Sequence, residues 1–273
     1  MKTILITGAT DGIGRETARR LAILGHHLLI HGRSTDKLNT TAAELRSLEG
    51  AGQVETFRAD LSRLDDVASL AKEITARHDR LDVLINNAGV LKTDDPVTPG
   101  GLDLRFVVNT LAPALLTRRL LPIIPQDGRI VHLSSAAQAP VDLEALAGHR
   151  RLEAMPAYAQ SKLALTIWSQ ALADVLGPDG PVTVAVNPGS LLATRMVKEG
   201  FGVAGNDIGI GADILTRAAL SEEFAQASGQ YFDNDSRRFA PPQAEADNPQ
   251  RIGAIVDAIE ALIADHVAST GGA

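Results

Sequence analysis

No cysteine occurs anywhere in the 273 residues, which excludes disulfides and thiolate-ligated metals from the chain's chemistry. Aromatic residues are scarce at 3%, and with only two tyrosines and six lysines a Tyr–Lys pair at close spacing stands out. Positive charge is not in excess: the formal net charge is -7, which removes the basis for a nucleic-acid surface. No apolar run approaches the eighteen or so residues of a membrane span. The opening MKTILITGAT has a lysine and a short apolar run, but glycine interrupts it and no small-residue cleavage site follows. A buried first strand is expected there rather than a signal peptide. No His/Asp/Glu spacing suggests a metal site, and no serine has the Gly-x-Ser-x-Gly setting of a hydrolase. What is present is 45% hydrophobic and 22% charged, ordinary for a soluble globular protein, with a cytoplasmic location the default expectation. The length suits one large domain spanning 1–273.

Short aliphatic or β-branched runs alternate with longer amphipathic ones. Strands are expected at 3–7, 27–31, 53–59, 81–87, 128–134 and 182–187, and helices near 12–24, 36–48, 63–78, 101–122 and 156–176. Several strands are apolar on both faces, as in a parallel sheet covered by helices on both sides. The alternation predicts an α/β fold: one doubly wound Rossmann-type domain with a parallel sheet of about seven strands. Residues 189–212 are Gly-rich and 233–250 polar with three prolines, so both read as loops, and a frayed tail is expected at about 268–273.

In such sheets ligands bind beyond the carboxyl ends of the strands. There, TGATDGIG (7–14) leaves the first strand and opens the first helix, where backbone N–H groups and the helix dipole favour a phosphate. Gly8 permits the turn, Gly12 lets the backbone approach a pyrophosphate and Gly14 allows close helix–strand packing. A literal G-x-G-x-x-G also occurs, at GFGVAG (200–205), but it follows no strand and reads as a mobile loop. About twenty residues after the first glycines, an NAD site normally carries a carboxylate for the ribose; here Gly32 and Arg33 stand in that place. Arg33 and Arg15 offer charged forks to a 2′-phosphate, so NADP is expected, with NAD a weaker substitute. On this reading Gly32→Asp with Arg33→Ala turns the preference towards NAD.

YAQSK (158–162) places Tyr158 and Lys162 on one helix face. Ser134 and Ser135 end a strand, so only one can readily face a substrate. His132 reads as a packed strand residue and HRR (149–151) as a solvated face.

Together these segments resemble the short-chain dehydrogenase/reductases, most closely the retinol-dehydrogenase-like branch. The resemblance rests on TGATDGIG, GIGRETAR, the Arg33 position, Asp60, NNAG (86–89), Asn109 in VVNT, HLSSAA, YAQSK, NPG (187–189) and the late SGQYFDN (228–234), in order along almost the whole chain. It implies a cofactor set of Gly8, Thr10, Asp11, Gly12, Ile13, Gly14 and Arg15 in the turn. To these it adds Arg33, Asp60, Leu61, Asn87, Ala88, Gly89, Tyr158, Lys162, Pro188 and Gly189. It implies a catalytic set of Asn109, Ser135, Tyr158 and Lys162: Tyr158 as general acid/base, Lys162 on the nicotinamide ribose, Ser135 on the reacting oxygen, and Asn109 holding a water that joins Lys162 to solvent. A free phenol is a poor base near neutral pH, and a neighbouring ammonium favours its ionised form.

Serine and tyrosine are separated by more residues than in many members, which predicts a flap at about 136–157 beside the substrate. A substrate lid is expected at about 190–208. Thr194 lies five positions after Gly189, one later than the usual threonine, which leaves its contact with the nicotinamide open. Leu91, Leu191, Met196 and Phe201 suggest an apolar pocket. The activity implied is NADP(H)-dependent interconversion of a small apolar alcohol and its aldehyde or ketone, without nucleic-acid or membrane partners. Association as a homodimer or homotetramer, through the helices after the fourth and fifth strands, follows by analogy. A non-enzymatic NADP-sensing regulator and a sugar-nucleotide epimerase or dehydratase are the competing readings.

Overall fold

The structure is a computed structural model that describes residues 1–267, so the tail expected at 268–273 lies outside the described residues. The first half of the chain gives β1 (Thr3–Ile6), α1 (Gly12–Ile23), β2 (His27–Gly32), α2 (Thr35–Arg46), β3 (Val54–Arg58), α3 (Leu64–Arg77) and β4 (Val83–Asn86). Next come α4 (Leu104–Phe106), a π-helical turn (Val107–Leu111), α5 (Ala112–Leu120), β5 (Arg129–Leu133), α6 (Leu143–Leu146), α7 (Ala154–Leu176) and β6 (Val182–Asn187). The remainder adds α8 (Arg195–Phe201), α9 (Ile208–Leu220), β7 (Tyr231–Asp233), β8 (Arg238–Phe239) and α10 (Pro249–Val267). One eight-stranded sheet runs β3-β2-β1-β4-β5-β6-β7-β8, parallel throughout except for the β7–β8 pair. Strand order reverses at β1 and β4, which opens a crevice at their carboxyl ends.

Alternation along each strand assigns its side chains to two cores. Leu5, Leu29, Leu84 and Ile130 face one layer, where α3, α5, α7 and α10 contribute Ile74, Leu115, Ile167 and Ile259. Ile4, Ile6, Ile30, Ile85 and Val131 face the other, with Leu21 of α1, Leu38 of α2 and Leu215 of α9. Because both faces are covered, these strands carry no polar stripe.

The six strands expected from the sequence are present with ends shifted by two residues at most; β7 and the antiparallel β8 are additional to those six. Residues 189–212 are not an irregular loop. Thr194 caps α8 by accepting from Val197 N, and Asp207 caps α9 by accepting from Gly209 N. The glycines of GFGVAG are neither a dinucleotide turn nor simply loop: Gly200 lies within α8 and Gly202, at φ 68°, is its left-handed cap. Likewise 233–250 contains β8 and the start of α10, where Pro249 occupies the first turn that tolerates it.

α10 lies across α5 and α7. Ile255, Ile259 and Ile263, spaced four apart on one face, are fully buried and each contributes about 1.5–3 kcal/mol. Above them Glu260 accepts from Trp168 Nε1 at 2.8 Å and from Arg118 Nη2 at 2.8 Å. The face through which self-association is implied by analogy therefore carries α10 in this chain.

Candidate active site

The glycine turn is stitched to the segment after β4. Thr7 Oγ1 accepts from Asn87 N at 3.0 Å and Ala88 N at 3.1 Å, while Asn87 Nδ2 donates to Thr7 O at 2.8 Å and Gly8 O at 3.2 Å. A β-carbon at position 14 would fall 2.4 Å from both Asn87 Nδ2 and Gly8 O, so no other residue lets α1 approach this closely. Asp11 caps α1, accepting from Gly12 N at 2.8 Å. His31 supports the turn from below: its Nδ1 accepts from Gly8 N at 3.3 Å and its Nε2 faces Ala59 O at 3.1 Å. Burial holds this imidazole down at about 4, so it is neutral and can accept on one side while donating on the other. Neither Thr7 nor His31 is marked as functional by the sequence pattern, because both sit on or at the end of apolar strands.

A cavity of about 1000 Å³ opens from this turn across the carboxyl ends of the strands. Gly8, Thr10, Asp11, Gly12 and Ile13 line it from the turn, Arg33, Asp60 and Leu61 from β2 and β3. Asn87, Ala88 and Gly89 line it after β4, Pro188 and Gly189 after β6, and Ser135, Tyr158 and Lys162 at the far end. Gly14 and Asn109 stand behind the wall.

Arg15 departs from its expected place: its guanidinium bonds Glu44 of α2 at 2.5 Å, on the exposed surface, and it does not line the cavity. Arg33 keeps its position, and Ser34 and Lys37 join it there. Ser34 caps α2, so Arg33 and Lys37 stand at a helix amino terminus.

At the other end, Ser134 and Ser135 point apart. Ser134 is buried, with its hydroxyl 2.7 Å from Thr166 Oγ1, whereas Ser135 faces the cavity and accepts from Ala137 N at 3.1 Å. Tyr231, from β7, fixes the Ser135 backbone by donating its hydroxyl to Ser135 O at 3.0 Å. Burial pushes the Tyr158 phenol up, and a hydrogen bond with Ser135 acts in the opposite sense. Lys162 is 2% exposed; its Nζ donates to Leu133 O at 2.6 Å and stands 5.7 Å from the Tyr158 ring centroid. Burial brings this amine down to about 7.

Asn109 lies in the π turn, a geometry frequent at functional sites. Its side chain acts as a brace: Nδ2 donates to Val90 O at 2.9 Å and Ser161 Oγ at 3.0 Å, and Oδ1 accepts from Val90 N at 2.8 Å. Gly89 sits between it and the lysine, since a β-carbon there would be 3.4 Å from Asn109 Oδ1 and 3.5 Å from Lys162 Nζ.

The flap and lid complete the walls. Ala136, Ala137 and Met155 line the cavity from the flap; Leu91, Leu191 and Met196 also line it, and the Phe201 side chain lies outside what the structure describes. Glu245 and Arg251 pin the flap by bonding the backbone of Val141, each at 2.5 Å. His149 and Arg150 are exposed and pair with Glu144 and Asp142 of the flap itself. Thr194 packs beside Gly12, a β-carbon there lying 3.6 Å from its Cγ2, so it borders the glycine turn. His132 is fully buried beside Asn86, 3.2 Å from Nδ2, and edge-on to Trp168; burial and then Lys162 hold it at about 3.

The profile of the short chain dehydrogenase family matches residues 2–202. Human retinol dehydrogenase 13 is 31% identical over 271 residues, which cover 92% of this chain and 81% of its own. A protein of Mycobacterium paratuberculosis superposes with a TM-score of 0.78 at 28% identity, over 96% of this chain and 93% of its own. A short chain dehydrogenase of Burkholderia cenocepacia, solved in complex with NADP, superposes with a TM-score of 0.68 at 25% identity, over 86% and 96%.

Proposed function

The chain belongs to the short-chain dehydrogenase family of oxidoreductases and resembles its retinol dehydrogenases; from that premise we propose that it is an NADP(H)-dependent enzyme interconverting an apolar alcohol and its aldehyde or ketone. The observation that carries this reading is one cavity with two chemically distinct ends: a glycine cradle with Arg33 and Lys37, and the Ser135–Tyr158–Lys162 group. The cradle suits a dinucleotide, because Gly8 and Gly12 hold positive φ and Gly14 has no room for a β-carbon.

When bound, NADP(H) supplies hydride transfer at the nicotinamide carbon. Ser135 orients the reacting oxygen and stabilises charge developing on it. Tyr158 gives that oxygen a proton during reduction and takes it back during oxidation. Lys162 holds the adjoining ribose, and Asn109 fixes the Val90 backbone beside it. Leu91, Leu104, Val108, Met155 and Leu191 make the substrate side apolar.

The cofactor preference is tested by the ratio of kcat/KM for NADPH to that for NADH. Wild-type protein is expected to give a ratio well above one, and Arg33→Ala to lower it about ten- to hundredfold, the loss of one charge-assisted contact of roughly 1.5–3 kcal/mol. A wild-type ratio at or below one contradicts the phosphate assignment. Gly32→Asp is a poorer probe than its sequence position suggests, because a β-carbon there would meet Thr10 Cγ2 at 2.8 Å and displace a cavity residue.

A further inference from the structure

Two histidines and a glutamate from three segments meet at the amino-terminal edge of β2 and β3, at the opposite end of the strands from the cavity. His27 opens β2, Glu55 lies on β3, and His78 follows α3 as its carboxyl cap. Alternation puts His27 on the side of Leu29 and Glu55 on the side of Phe57, the face that α3 covers. His27 Nε2 is 2.8 Å from Glu55 Oε1, and His78 Nε2 is 3.4 Å from the same oxygen. Two imidazole nitrogens thus converge on one carboxylate oxygen, the three atoms all within 4.8 Å of one another. Both histidine side chains are 13% exposed.

We propose that His27, Glu55 and His78 form a binding site for a divalent transition-metal ion of the zinc class. His78 Nε2 is the telling atom. It is shut off from solvent and among the described residues has no hydrogen-bond partner, although it lies only 3.4 Å from Glu55 Oε1. A buried polar atom left so is unfavourable, and a metal ion would satisfy it. Two imidazoles and one carboxylate are a zinc donor set, with a fourth position open to water. Bonds of about 2.0–2.2 Å place neighbouring donors of a tetrahedron roughly 3.3 Å apart. The His78–Glu55 separation of 3.4 Å already matches, the His27–Glu55 contact has to open by about half an ångström, and the two imidazole nitrogens lie within 4.8 Å of each other.

The surroundings fit as well. Arg77 bonds the other carboxylate oxygen of Glu55, which leaves Oε1 for the ion and fixes the carboxylate plane. Its charge is offset by Glu73 at 3.0 Å, and its guanidinium stacks over Phe57 at 4.7 Å. A bound ion would clip the end of α3 to the edge of the sheet, far from the hydride chemistry. The three ligands are separated by more than twenty residues each, so no short spacing reveals them.

The test is zinc chloride titrated into the untagged full chain at about pH 7.5, where free imidazoles are mostly neutral. Calorimetry should give one zinc per chain, and at a hundredfold excess over Kd the Tm should rise by on the order of 5 °C, reversed by chelator. His78→Ala and Glu55→Gln should each weaken binding at least tenfold, whereas His149→Ala, in the exposed flap pair, should not. Since either variant can lower Tm by itself, the zinc-induced shift is the quantity compared. Cobalt(II) added to wild-type protein should show the visible bands of a four- or five-coordinate site. Absence of stoichiometric zinc, a cobalt spectrum like that of the free ion, or full binding by both ligand variants would overturn the proposal.

Discussion

Tyr158→Phe is expected to lower kcat by about a hundred- to ten-thousandfold, the usual reach of a positioned general acid/base, with the Kd for NADPH unchanged within a few-fold. The substitution removes one oxygen. It keeps the ring, its place on α7 and its contact with the cavity wall, so a loss of cofactor affinity is not part of the expectation. Ser135 remains, anchored through Ala137 N and the Tyr231 hydroxyl, and can still polarise a carbonyl. Residual turnover in the variant therefore measures what the oxyanion contact and positioning achieve without a proton donor. Turnover near the wild-type level would remove Tyr158 from the chemistry.

Lys162→Met is expected to damage two quantities together: kcat, and NADPH affinity by at least about tenfold. Methionine keeps most of the stem and its packing, so circular dichroism and Tm should stay near wild type. The buried amine of the free protein titrates at about 7, because burial disfavours its charged form. Ribose hydroxyls accepting from the ammonium would stabilise that charged form and raise the value in the complex. The sign follows: NADPH binding takes up a proton on Lys162, so affinity is full below pH 7 and falls as pH rises through and above it. In Lys162→Met this dependence should vanish. Undiminished NADPH affinity in the variant contradicts the ribose assignment, and a wild-type affinity flat between about pH 7 and 9 contradicts the proton linkage.

Where the chain's local pattern and its tertiary role coincide, the sequence was legible. TGATDGIG follows an apolar strand and opens a helix, and its glycines are required by backbone conformation and by a 2.4 Å approach. YAQSK sets two side chains on one helical face whatever surrounds it. Strand alternation lets only one of Ser134 and Ser135 face a substrate, and the family resemblance points to Ser135. The arginines show the limit. Arg15 and Arg33 look equivalent in sequence, yet Glu44, one helix away, takes Arg15, while Lys37 comes round the first turn of α2 to the cavity. That exchange depends on how α1 and α2 pack, which no local pattern records. Asn109 is similar: its residue type is visible, but the π turn that aims its amide at Val90 and Ser161 is a tertiary outcome. Strands of three and two residues, β7 and β8, are too short to show a period, and the caps of α8 and α9 were masked by neighbouring glycines.

The most direct measurement uses NADPH carrying deuterium at its transferable position, incubated with a panel of apolar ketones and aldehydes, with the products analysed by mass spectrometry. Wild-type protein should place one deuterium on the former carbonyl carbon of an alcohol, and Tyr158→Phe should form that product at least about a hundredfold more slowly. Tight NADPH binding with no labelled alcohol from any member of the panel, and no oxidation of the matching alcohols with NADP, would contradict hydride transfer as the function of this site.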